Sequence, residues 1–345
     1  MAKLSRRQFL TWGLPGVASL AGAAGLAGRD APAASSPGAR ASRHEEHPGM
    51  PGAGKIPGLH PPGSGKQVDP MLFLTHFDWG KVSRLADGQT LREWTLTALD
   101  REIVVAPGVT FPAWTYNGSV PAPTLRCRVG DVVRVKFFNE GSHTHSIHFH
   151  GIHPANMDGV FEQVPPGGTY TYEFVAEPFG VFLYHCHTMP LTQHIHKGLY
   201  GAFIVDPPTP RPSARELVMV MNGFDTDMDT KNEFYTVNGI ANYYVDHPIP
   251  LRVNEPVRIY LVNLLEFDMI NSFHLHANMF RYYPTGTDLE RYEYTDIVML
   301  AQGERGVMEF TYKLPGRYMF HAHKTEFAEL GWTGFFEVLP AEAKA

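Results

Sequence analysis

From about residue 88 onward, apolar and polar residues follow one another in short runs cut by turn dipeptides. The stretch "REIVVAPGVTFPAWTYNGSVPAPTLRCRVGDVVRVKFFNE" is representative: Pro-Gly, Asn-Gly and Gly-Asp separate its β-rich segments. No long segment keeps the period of a helix. Short strands with frequent turn signals predict an all-β protein of sandwich or barrel type.

The same pattern occurs twice. "HSIHFH" (145–150) is answered by "NSFHLH" (271–276), and "PPGGTYTYEFVAEPFGVFLYHCH" (165–187) by "AQGERGVMEFTYKLPGRYMFHAH" (301–323). "GLYGAFIV" (198–205) is answered in turn by "GWTGFFEV" (331–338). Matches that recur in one order predict a duplicated domain. The copies meet near "DPPTPRPSAR" (206–215), giving expected domains at 69–207 and 208–345.

Composition narrows the class. The 345 residues are 43% hydrophobic and 19% charged, with a formal net charge of −6 and no cluster of Lys and Arg, so a nucleic-acid partner is not expected. Two cysteines, Cys127 and Cys186, exclude a disulfide framework but formally allow one bridge, and Cys127 is expected to be a partly buried free thiol. "SRRQFL", with Arg6 and Arg7 ahead of a weakly apolar run, resembles a twin-arginine export signal over residues 1–34, with "APA" (32–34) as a cleavage site. The run holds too many glycines for a permanent membrane span. Residues 35–68 are rich in Pro, Gly and Ser and are expected to form a flexible linker.

The 18 histidines carry the chemistry. Side chains at i and i+2 of a strand share a face, so His148/His150, His185/His187, His274/His276 and His321/His323 each present two imidazoles on one side. Neutral imidazole is a good ligand for copper and zinc, and eight imidazoles are too many for one ion. Cys186 lies between His185 and His187, so its sulfur points to the opposite face. His145 precedes His148 by an odd offset and turns the same way as the sulfur, and His194 follows in the next loop. One Cys and two His form the ligand set of a blue-copper electron-transfer site. His185-Cys186-His187 thus predicts two metal sites joined through covalent bonds.

With these motifs in place, residues 88–340 resemble a two-domain multicopper oxidase of the small-laccase type, built from two tandem cupredoxin-like Greek-key domains. "HSIHFH" matches the family pattern HxxHxH and "YHCH" its HCH motif. The resemblance implies about four coppers per active unit. His145, Cys186 and His194 would hold type 1 copper, with Leu199 in the axial place, and His148 with His274 would hold type 2. His150, His185, His187, His276, His321 and His323 would hold the type 3 pair. It also implies oxidation of a small-molecule or metal-ion donor, reduction of O₂ to water, and a homotrimer in a periplasmic or secreted location. Asp158 and Asp296 match acidic residues that assist proton delivery in the family.

Departures shape the expectation. Ala322 and Asn271 stand where the first copy has Cys186 and His145, which leaves no type 1 site in the second domain. The loop from His187 to Gly201 is three residues longer than its counterpart and resembles that of copper nitrite reductases, so His194 and His196 both stand as candidates. His194 is preferred because it precedes Leu199 by five residues, the family spacing. A copper nitrite reductase is the alternative function, although that family has Asp where this chain has His148. Phenols, aromatic amines, Cu(I), Fe(II) and Mn(II) remain open as donors. His143 and His153 are expected in loops, and "HEEHPGM" (44–50) in the flexible segment.

Overall fold

The computed structural model describes residues 56–341; the proposed export signal and "HEEHPGM" lie outside the described residues. The expected pair of β-sandwiches is present, and the described α-helices are only four to six residues long.

In the first half, one sheet runs Lys81–Arg84, Thr90–Ala106, Val132–Asn139 and Thr169–Val175, with Val109–Tyr116 paired to Thr90–Ala106. The facing sheet runs Ala122–Arg128, Tyr200–Asp206, Gly180–His185 and His148–Phe149. Leu96, Val135, Phe149, Tyr172, Phe203 and Cys186 fill the space between them. The second half repeats the wiring. The parallel pair Thr90–Ala106 and Val132–Asn139 is mirrored by Arg215–Phe224 and Val257–Asn263. Ala122–Arg128 beside Tyr200–Asp206 is mirrored by Ile249–Arg252 beside Thr333–Leu339. Parallel neighbours within otherwise antiparallel sandwiches require long return connections, as in a Greek key.

A third apolar core joins the halves. Val181, Leu183, Ala202 and Ile204 of the first pack with Val218, Val220, Tyr260 and Val262 of the second. Gly180–His185 is therefore buried on both faces. Beside this core Arg126 is bidentate to Asp206 at 2.9 Å, reaches Glu216 across the junction at 2.8 Å, and donates to the Tyr260 hydroxyl.

The structure departs from the sequence reading at residues 56–74. Ile56 and Leu59 pack on the core of the second half, and Leu74 enters it. Gln67 donates to the Val104 carbonyl and accepts from the Val104 N–H. Tyr243 donates to Asp69 Oδ1 and Tyr244 to the Pro70 carbonyl, each at 2.8 Å. A Pro/Gly-rich segment lacks periodicity, but these side-chain anchors fix its backbone, and it straps across both halves.

Candidate metal centres

Two centres lie on opposite faces of the strand Gly180–His185 and the residues that follow it. On the core side, His145, Cys186 and His194 converge, all buried. Cys186 Sγ is 3.2 Å from His194 Nδ1 and 3.9 Å from His145 Nδ1, and the two Nδ1 atoms are 3.2 Å apart. The Ser146 N–H donates to the sulfur at 3.4 Å. Burial pushes the Cys186 thiol up and lowers His145 to about 3 and His194 to about 4. Two neutral imidazoles and a buried thiol crowding one point suit a soft cation, which would draw off the thiol proton.

The longer loop supplies His194. It folds into the helix Leu191–His196, and the Leu199 N–H reaches back to the His194 carbonyl while the Leu199 carbonyl accepts from Cys186 N–H. His196 is directed elsewhere: its Nε2 accepts the Asp225 N–H at 3.1 Å, and its ring packs on Phe111 and Phe267. Leu199 is fully buried in the same apolar cluster as Cys186.

On the other face lie His148, His150, His185 and His187. Strand pairing sets His148 opposite His185. His148 Nδ1 donates to the Asp158 carbonyl at 2.8 Å, and His185 Nδ1 to the Cys186 carbonyl at 2.8 Å. Each bond fixes a tautomer and leaves Nε2 as a lone pair facing the cluster. His150 Nε2 lies 3.3 Å from His185 Nε2, and the His187 ring is 5.2 Å from that of His148. Burial lowers His150 to about 3 and His185 to about 4, which keeps both rings neutral.

The second half reproduces this face almost atom for atom. His274 pairs with His321 in register. His274 Nδ1 donates to the Asp296 carbonyl at 2.9 Å and His321 Nδ1 to the Ala322 carbonyl at 2.7 Å. His276 Nε2 is 2.9 Å from His321 Nε2, and His323 lies beside His274 at 5.2 Å. Ser146 and Ser272 play one role: each hydroxyl accepts the backbone N–H of the last histidine of its cluster, His187 or His323. Among the described residues, no group of close-set ligating atoms combines histidines of both halves.

The core-side site has no working counterpart in the second half. The Ala322 N–H donates to the Trp332 carbonyl, and the Trp332 N–H to Phe327, repeating the backbone bonds around Cys186, Leu199 and His194. Phe327 and Trp332, both fully buried, thus take the places of His194 and Leu199. Apolar rings plug the pocket.

The two acidic residues are placed against the clusters. Asp158 Oδ1 lies 3.1 Å from His148 Nδ1 and 3.7 Å from His153 Nε2. Asp296 Oδ2 is 3.8 Å from His274 Nδ1, and its side chain is more exposed. Sequence reading missed Trp114, whose ring lies 5.3 Å from His145 and 4.8 Å from His194, and the position of His153. Neither lies in a metal-ligand motif. Cys127 is a free thiol, as expected, but it is fully rather than partly buried.

Family models described as multicopper oxidase match residues 99–210 and 211–342. The chain belongs to the multicopper oxidase family. A crystal structure of a multicopper oxidase superposes with a TM-score of 0.78 at 55% identity, covering 79% of this chain and 97% of that one. The copper-containing nitrite reductase of Neisseria meningitidis is 28% identical over 249 residues, 66% of this chain. This multicopper oxidase spans 63% of that relative's length. A copper resistance protein A homolog of Pseudomonas syringae pv. tomato is 37% identical over 149 residues, 41% of this chain and 25% of the relative. Membership of the family makes copper the metal this chain uses. No helix among the described residues is long and apolar enough to cross a membrane.

Proposed function

We propose that this multicopper oxidase is a laccase-like enzyme that takes single electrons from a small donor and reduces O₂ to water. The observation that carries this reading is the double role of Cys186. Its sulfur belongs to the core-side site, while its carbonyl accepts from His185 Nδ1 in the cluster at 2.8 Å. One residue therefore links the two centres through bonds and a single hydrogen bond.

His145, Cys186 and His194 would hold type 1 copper, with Leu199 packed in the same apolar cluster. His148 and His274 would hold type 2 copper. His150, His185, His187, His276, His321 and His323 would hold the type 3 pair, about four coppers per active unit. When bound, copper supplies the one-electron redox steps and the site at which O₂ is reduced. The chain's own residues keep the imidazoles neutral by burial, fix their tautomers through backbone carbonyls, and place Asp158 and Asp296 where they can pass protons towards the cluster.

Four histidines in each half make two half-sites. The reading that supports both is a homotrimer in which the first domain of one chain faces the second domain of the next, a head-to-tail ring. Exposed apolar residues beside each half-site favour such a contact: Phe161 is 86% exposed near Asp158, and Met299 is 67% exposed on the strand paired with that of His274. Export by the twin-arginine route to a periplasmic or secreted location completes the reading and rests on the N-terminal sequence.

Copper count, mass and O₂ uptake test the proposal together. About four coppers per chain, a trimeric mass and O₂ consumption with a phenolic or metal-ion donor are expected. Nitrite reduction without O₂ uptake would move the function to the nitrite reductase class, and a fully active monomer would refute the shared cluster.

A further inference from the structure

The imidazoles of the proposed type 1 site are nearly closed to solvent. His145 has no exposed surface and His194 retains 3%. Gly141 covers the far edge of His145, since a Cβ added there would stand 3.2 Å from Nε2. A donor must therefore deliver its electron through an intervening group.

Two rings, Trp114 and His143, fill the gap. The Trp114 ring touches both imidazoles and also the exposed ring of His143, at 4.4 Å with a 39° tilt, and the His143 ring lies 6.5 Å from that of His145. The Trp114 backbone is tied to the end of the His194 helix, where its main-chain N–H donates to the Lys197 carbonyl. His143 is held where it is by its neighbours. Its carbonyl accepts from Asn139 Nδ2 at 2.7 Å, its Nδ1 is 2.8 Å from Ser142 Oγ, and the Ser142 N–H donates to Asp100. The result is a continuous aromatic stack from solvent to the core-side site.

We propose that His143 is the docking surface for a planar aromatic donor and that Trp114 carries its electron to the Cys186 centre. The proposal rests on the type 1 reading of that centre and deepens it. Exposed Asp100 accepts the Ser142 N–H next to His143, so a neutral or cationic ring, a phenol or an aromatic amine, is favoured over an anionic one. His143 joins no group of close-set metal-ligating atoms among the described residues, which disfavours a metal-ion donor here. In each transfer the donor ring loses one electron and a phenol releases its hydroxyl proton to water. The metal held by Cys186 is reduced by one electron, and Trp114 is unchanged.

Anaerobic bleaching of the blue absorption band by hydroquinone tests this. His143→Ala is expected to raise the hydroquinone concentration for half-maximal rate about five- to tenfold, the loss of one stacked ring pair, with an unaltered band. Trp114→Phe is expected to lower the limiting rate. On copper-free protein, hydroquinone should quench tryptophan emission, and His143→Ala should remove the quenching. Variants with intact blue bands and wild-type reduction kinetics, or quenching that survives His143→Ala, would overturn the docking site while leaving the oxidase reading standing. Copper-loaded wild type without a blue band would overturn both.

Discussion

Replacing Asp158 by Asn removes a charge beside the cluster and almost nothing else. The Asp158 carbonyl that holds His148 Nδ1 at 2.8 Å is retained; only the carboxylate oxygen 3.1 Å from the same nitrogen changes. A single N–H shared between two acceptors gives neither a full bond, so the charge-assisted share sits near the low end of its range, about 1.5 kcal/mol. At about 1.4 kcal/mol per factor of ten, turnover should fall roughly tenfold. Asp296 lies 3.8 Å from His274 Nδ1 with its side chain 49% exposed. An exposed pair of that kind is worth roughly 0.2–1 kcal/mol, so Asp296→Asn should cost about fivefold at most. The assay is O₂ uptake at saturating donor, with copper counted on the same samples. Copper should stay near the wild-type content, because both backbone carbonyls persist. Full activity in both variants would refute the reasoning, as would copper loss in step with activity or a larger effect at Asp296.

Three further outcomes follow from the geometry. His194→Gln should abolish the blue band, whereas His196→Gln should keep it, since a Gln oxygen can accept the Asp225 N–H; visible absorption on copper-loaded protein decides. Arg126→Met strips Asp206 of this cation, while Glu216 keeps Arg258 at 3.1 Å, and loss of a buried partner costs about 3–5 kcal/mol. The partial exposure of both acids sets the expectation near ~3 kcal/mol, read as a lowered urea midpoint with metal content intact. Copper-free protein should lose stability as pH falls from about 6.5, where unfolded histidines begin to bind protons, toward the folded values of about 3 to 4 at His145, His150, His185 and His194. Within that window the unfolded chain holds more protons, so each such histidine lowers stability by up to about 1.4 kcal/mol per pH unit. A flat urea midpoint between pH 6.5 and 4.5 would contradict the buried-neutral assignment.

Much of the site was legible because strand alternation is a local rule. It placed Cys186 opposite its neighbours His185 and His187, and the five-residue spacing to Leu199 favoured His194. Alternation fails where a strand is covered on both sides. Ala122–Arg128 lies between the first-half core and the junction of the halves, so Cys127 is buried in the former and Arg126 faces the latter with its acids. No pattern in "LRCR" reports two coverings at once. The strap at 56–74 was illegible for a related reason: its order comes from partners distant in sequence, Val104 for Gln67 and Tyr243, Tyr244 and the second-half core for the rest. Trp114 reads as an ordinary strand aromatic until the fold brings three histidine rings to it.

The aromatic plug has an evolutionary consequence. Restoring a thiol at Ala322 alone would press sulfur against indole and phenyl walls, and no imidazole would await it. Several large residues would have to change together before any intermediate gained by it. Duplication thus left a ratchet: one half retains the port for current, and the other has become masonry that single mutations cannot reopen.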